Sequence, residues 1–177
     1  MTVDKRSFLA GAGVAIAARA ALPHLILVKL RHDVRRLNAG DYAPLLKGYA
    51  DDAVLRFNDG EHRWAGEHRG KPAIDRFLAD FTRAGLSGEI RKLWIGGPPW
   101  ALTLIARFDD RATAPDGELL YSNRVVMVVR TRWGRIVEQE DFYFDTVRMK
   151  GFERRLREFG IEPVGGDATL RQAAPAI

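Results

Sequence analysis

Apolar positions set the first element. Leu22, Leu25, Ile26, Leu30, Val34 and Leu37 recur at helical spacing, and Gly40 supplies a left-handed stop, so the pattern predicts a helix over residues 22–39. A short helix should follow from Tyr42 to Tyr49, with Asp41 as its N-cap. Ala53–Phe57 reads as a strand broken by Asn58-Asp59-Gly60. Pro72 opens a third helix whose stripe is Ile74, Phe77, Leu78 and Phe81, ending near Gly85. The period then falls to two. Strands are predicted at 89–95, 100–109, 118–131 and 135–145, joined by Gly96-Gly97-Pro98-Pro99, Ala114-Pro115-Asp116-Gly117 and Arg132-Trp133-Gly134. A last helix, Val147–Phe159, carries Phe152, Leu156 and Phe159.

Helices followed by an antiparallel meander define an α+β roll: a twisted sheet with helices in its hollow and, at the wide end, a pocket for a small, largely apolar molecule. Val125–Val129 is almost continuously apolar, which predicts cover on both faces, by the helices on one side and by a partner subunit on the other. A homodimer through the sheet is therefore expected. The domain should span residues 22–160, with a leader or frayed helix at 1–21 and a mobile tail at 161–177.

Composition narrows this little. At 177 residues, 46% hydrophobic and 29% charged, the chain is ordinarily globular, and without cysteine it has no disulfide, thiolate nucleophile or Cys-bound metal. The net charge of +5 comes from arginines scattered among acidic and aromatic neighbours, not gathered into a stripe, which argues against nucleic acid as a partner. Lys5-Arg6-Ser7-Phe8-Leu9 and the apolar run Ala10–Ala18 look like a degenerate twin-arginine export signal, with Ala15-Ile16-Ala17 as its cleavage site. The early Arg19 and the lysine in place of arginine favour a plain helix instead, hence a cytoplasmic protein, with export as the alternative. The run is too short to span a membrane.

Several segments read in register with one family: Leu37-Asn38-Ala39-Gly40-Asp41, Tyr49-Ala50-Asp51-Asp52-Ala53-Val54, Gly66-Glu67-His68-Arg69-Gly70-Lys71-Pro72-Ala73-Ile74, Gly134-Arg135-Ile136-Val137-Glu138 and Asp141-Phe142-Tyr143-Phe144-Asp145. Together they resemble the SnoaL-like branch of the nuclear transport factor 2-like superfamily, which includes polyketide cyclases, ketosteroid isomerases and limonene-epoxide hydrolases. The resemblance implies a cone-shaped, cystatin-like α+β roll, with helices packed in a curved, mostly antiparallel sheet. It is specific for fold and weak for reaction.

Two known chemistries of the relatives fail here. The resemblance aligns the isomerase base, tyrosine and oxyanion acid with Phe57, Asp33 and Val126, and a phenylalanine and a valine cannot move a proton. For the epoxide hydrolases the Asp–Arg–Asp set falls on Val126, Arg124 and Asp141, and the water-holding positions on Leu55 and Phe57. The same alignment implies that Arg124 and Asp141 meet in a pocket walled by Phe57, Val126 and Trp64, with Gln139 and Tyr143 on the face of Asp141. Trp64 would be a lid or else a core plug, and Glu140 is the alternative inward carboxylate. His62 and His68 flank Trp64 in a glycine-containing loop without a convincing acidic ligand, so no metal is expected, and no motif calls for a cofactor. Two readings stand. One is a cofactor-independent isomerase, cyclase or hydratase acting on a small apolar or polycyclic ligand, with Asp141 as acid/base and Arg124 stabilising negative charge. The other is a non-catalytic ligand-binding or assembly module.

Overall fold

The computed structural model describes residues 5–114 and 117–164, and of residues 5–21 only the helical backbone. The expected tail beyond residue 164 lies outside the described residues, as do the side chains of the leader. The chain divides into two compact units, Met1–His32 and Asp33–Ile177. Helix α1 (Lys5–Asn38) makes up the described part of the first and ends in the second. It starts well before the predicted Leu22 and continues through Pro23. Proline removes one backbone bond, but the alanine-rich sequence before it is strongly helix-favouring, so the helix does not stop there. Among the described residues no helix is long and apolar enough to cross a membrane.

In the second unit α1 contributes Val34 and Leu37 to the core, while Leu25 of the predicted stripe is exposed. Its end closes as the glycine predicts: Gly40 has φ +86°, and the Asp41 amide donates back to the Arg36 carbonyl at 2.9 Å. Asn38 then clasps Gly88, donating to its carbonyl and accepting from its amide, each at 2.9 Å. Helix α2 (Ala43–Gly48) is shorter than predicted, with Tyr42 at the cap position and the Asp41 carboxylate accepting from the Ala43 amide. Helix α3 (Lys71–Arg83) buries the predicted Ile74, Phe77, Leu78 and Phe81. Helix α4 (Thr146–Glu158) is capped by Asp145, which accepts from the Arg148 amide, and buries Met149, Phe152 and Leu156.

The sheet has six strands: β1 (Tyr49–Phe57), β2 (Gly66–Arg69), β3 (Leu86–Gly96), β4 (Thr103–Thr113), β5 (Leu119–Arg132) and β6 (Arg135–Tyr143). Their order is β2-β1-β6-β5-β4-β3. All neighbours are antiparallel except β1 and β6. Strand β2 falls within the segment read as loop, because four residues are too few to show a period. Trp100, predicted to begin a strand, lies in the β3–β4 connection instead.

Register decides which side chains look inward. Along most of β5 and β6 the pairing is Val125↔Tyr143, Met127↔Asp141 and Val129↔Gln139, and on β4 Asp110 faces Asn123. Odd-numbered residues of β5 and β6 therefore point into the core, and Arg124, Val126, Val128, Glu140 and Phe142 point out. Val125 and Val129 are buried, whereas Val126 and Val128 are half-buried on the outer face.

Candidate functional site

Two aspartates stand on the inner face, where the apolar alternation calls for hydrophobic residues. On β4 the inward series is Ala106, Phe108, Asp110 and Ala112, and on β6 it is Gln139, Asp141 and Tyr143, all buried. Asp110 is 5% exposed and Asp141 6%. Neither forms an ion pair among the described residues; each is held by neutral groups. The Tyr143 hydroxyl donates to Asp110 Oδ2 at 2.6 Å. Gln139 Nε2 donates to both oxygens of Asp141, at 3.0 and 3.2 Å, while its Oε1 accepts from the Tyr49 hydroxyl at 2.5 Å. The Tyr143 backbone is fixed by Asn58, whose Oδ1 accepts from its amide at 2.8 Å, and its ring lies 4.7 Å from that of Phe57.

Charge in such a place is costly. Burial raises the Asp110 carboxyl to about 7, against the lowering effect of the Tyr143 hydrogen bond and with help from Asp109. Burial likewise raises Asp141 to about 8, opposed by the Gln139 contact and reinforced by the negative field of Asp110. Burial, reinforced by these carboxyls, also pushes the Tyr49 and Tyr143 hydroxyls upward, keeping them protonated donors. A buried carboxyl whose pKa lies near neutrality can donate and accept protons at working pH.

An open groove of about 930 Å³ adjoins this network. Asp110 and Asn123 contribute to its wall, with Asn38, Arg111, Arg124 and Arg148 among its other residues. Its lining is far more polar than the apolar pocket expected from the sequence.

Three expected site residues are placed elsewhere. Arg124 does not meet Asp141: it projects from the opposite face of β5, exposed, with its guanidinium 4.7 Å above the ring of Phe144. Val126 shares that outer face and walls no inner pocket, and Glu140 points outward with it. The cause is a bulge. Next to the Trp133-Gly134 turn the pairs are Arg132↔Arg135 and Thr131↔Ile136, but from Arg130↔Glu138 onward the register has moved by one residue. Counting back from the turn without the extra residue sets Val126 opposite Asp141, and a one-residue slip reverses every face. Trp64 is no lid. It is fully buried, stacked on Phe152 with centroids 6.0 Å apart, so the core-plug alternative describes it. His62 is buried and His68 half-buried with Nε2 on the Trp64 carbonyl; burial lowers both imidazoles. Among the described residues no group of three or more His, Cys, Asp or Glu is placed to hold a metal.

Gln139 and Tyr143 lie beside Asp141 on the inner face, and Phe57 packs against Tyr143. Asp110, Tyr49 and Asn123 were not read from the sequence. The signal for Asp110 was available, a charged residue at an inward position of an alternating strand, but the neighbouring Asp109 disguises it.

The α+β roll itself is matched by comparison with known proteins. A profile described as the SnoaL-like domain matches residues 30–139, more than half of the chain, and the chain belongs to that family. The match ends two residues before Asp141. No curated protein sequence matches. Among solved structures, TerC co-crystallised with polyporic acid is 18% identical, with a TM-score of 0.60 over 72% of this chain and 97% of TerC. An NTF2-like protein of unknown function from Burkholderia pseudomallei is 21% identical, with a TM-score of 0.58 over 72% of this chain and 95% of its own. A protein with cystatin-like fold from Xanthomonas campestris is 20% identical, with a TM-score of 0.52 over 72% and 96%. At these identities the likeness is one of fold.

Proposed function

We propose that this protein performs cofactor-independent acid–base chemistry on a small, largely apolar molecule, of the isomerisation, cyclisation or hydration type. Asp141 is the proton-transferring group, Gln139 and Tyr49 orient it, and Asp110, held by Tyr143, is a second buried acid on the same face. The reading rests on one observation: two buried carboxyls on one sheet face, each held by a neutral donor and, among the described residues, by no cation. An ion pair serving only the fold would carry a counterion. Arg124 is not part of this chemistry. Polyporic acid, with which TerC was co-crystallised, offers a first compound to screen.

Native mass spectrometry of the purified chain, followed by turnover of the identified compound, tests the reading. Asp141→Asn should abolish turnover while leaving ligand affinity nearly unchanged, and activity surviving that change would sink the assignment. The near-complete burial of Asp141 favours the second reading, a ligand-binding or assembly module, and a bound ligand that is never converted would select it. The outer face, with Trp94, Ile105 and Phe142 exposed, supports the homodimer through the sheet, which sedimentation measures directly. A cytoplasmic location is the accompanying inference, and an intact N-terminus on protein recovered from cells tests it against export.

A further inference from the structure

At the end of the sheet where the β3–β4 connection meets the β5–β6 hairpin, two tryptophans stand in solvent. Trp100 is 53% exposed and Trp133 78%, with ring centroids 6.5 Å apart. The loops that carry them are fastened together. The Trp133 amide donates to the Trp100 carbonyl at 2.9 Å, the Thr131 amide to Leu102 at 2.8 Å, and the Leu102 amide to Thr131 Oγ1 at 3.2 Å. Within the β3–β4 connection the Ala101 amide donates to Pro98, and a Cβ on Gly97 would lie 2.5 Å from the Ala101 carbonyl oxygen. The rings are therefore held on a built knob.

Folding does not account for Trp133. Its φ is +50°, the left-handed region that a hairpin turn normally gives to Asn or Gly, and among the described residues it is the one non-glycine found there. A bulky ring in that position accepts strain and gains no core. Its use must lie outside the chain. The chemistry around it defines the partner. Residues 96–102 and 131–135 contain Arg132 and Arg135 and no Asp or Glu; in space the exposed Arg132 has the exposed Asp52 at 3.8 Å, and Arg135, itself exposed, donates to the Lys47 carbonyl. Pro98 and Pro99 have no amide hydrogen, and the amides of Ala101, Leu102, Thr131 and Trp133 are already bonded, so few donors would be stranded on leaving water. Tryptophan is the side chain most at home between water and acyl chains, and arginine keeps its head in the phosphate layer while its stem lies in apolar surroundings.

We infer that the Trp100–Trp133 knob docks this protein onto an anionic lipid surface, the indoles entering the interface and Arg132 and Arg135 meeting lipid phosphates. The inference is independent of the acid–base reading, because the knob shares no residue with the carboxyl network.

The test is co-sedimentation of the full chain with vesicles of mixed phosphatidylglycerol and phosphatidylcholine, and of phosphatidylcholine alone, with tryptophan emission recorded in parallel. Binding to the anionic vesicles, a blue shift, and weakening by salt are expected. The double variant Trp100→Ala, Trp133→Ala should bind about tenfold or more weakly. Trp133→Asn separates docking from folding: it should weaken binding while the melting temperature stays level or rises, since Asn suits the turn. The inference is overturned if the parent protein ignores anionic vesicles, if it binds neutral ones equally well, if the double variant binds unchanged (the remaining positive charge then being sufficient), or if Trp133→Asn lowers the melting temperature.

Discussion

Glu153 on α4 and Asp141 on β6 are 4% and 6% exposed, yet their protons behave oppositely. Burial pushes the Glu153 carboxyl upward, but the contacts from Arg63 overcome it and hold the group below its ordinary range. Those contacts are three hydrogen bonds, from the Arg63 amide at 3.2 Å, Nε at 2.9 Å and Nη2 at 3.2 Å, and Arg157 adds a fourth at 3.2 Å. Asp141 has one neutral amide and a carboxyl in its surroundings, so burial prevails. Depth alone does not set the charge of an acid. The donors facing it do, and they distinguish an acid that fastens the fold from one left free to exchange its proton.

The fastening acid gives the largest expected effect. Arg63 also donates to the Ile161 carbonyl at 2.6 Å, and nearby the Val164 amide donates to Asp80 at 2.7 Å, so this cluster ties the segment after α4 to the loop before β2 and to α3. Arg63→Ala leaves the buried Glu153 carboxylate with only the exposed Arg157 beside it and should cost about 3–5 kcal/mol in urea unfolding. A loss below about 1 kcal/mol would mean that water replaces the guanidinium and that the contrast with Asp141 is false. Because the folded pKa of Glu153 is depressed, its contribution is present above the unfolded value of about 4.3 and is lost as pH falls through the folded one.

The exchanging acids should show the reverse slope, and an effect no larger. Their folded pKa values, about 7 for Asp110 and about 8 for Asp141, lie above the unfolded value, so the native state holds protons that the unfolded chain has released. Stability then falls as pH rises from about 4 through those folded values and levels off above them. Asp141→Asn and Asp110→Asn keep the shape without the titration. Over the parent, Asp110→Asn should gain about 3 kcal/mol and Asp141→Asn about 4 kcal/mol between pH 5 and pH 9, followed by thermal melts across that range. If parent and variants keep a constant gap, the carboxyls are already ionised at pH 5 and no proton is exchanged near neutrality.

Much of this was legible in the chain. Periodicity places all four helices approximately and five of the six strands, since both periods rest on side-chain burial and need no knowledge of partners. The unbroken run of α1 from before Leu22 and the four-residue β2 escape the pattern, one because a single proline does not outweigh a helix-rich flank, the other because pairing creates so short a strand. The site was legible only in half. Gln139, Asp141 and Tyr143 share a face because they alternate on one strand, and alternation is local. Asp110 and Tyr49 join them through other strands, and those neighbours depend on register. The failure over Arg124 has the same origin, because one extra residue beside the Trp133-Gly134 turn is invisible to pattern and reverses the facing of everything beyond it.

That bulge gives the smallest effect and the sharpest check on the two faces of β5. Arg124 stands opposite Asp109 on the outer surface, stacked over Phe144 at 4.7 Å, while Met127 occupies the place beside Asp141 on the inner one. Arg124→Ala should therefore change stability by no more than about 0.5–1 kcal/mol, the size of an exposed cation–π contact. It should leave the Asp141 titration, followed by carboxyl-selective NMR, where it was. Without the bulge, Arg124 would lie on the inner face near Asp141 and hold it ionised, and its removal would raise the carboxyl's pKa measurably. An unmoved titration in Arg124→Ala, set beside a strongly destabilised Arg63→Ala, would separate an arginine that balances a buried acid from one that the register has carried to the far side of the sheet.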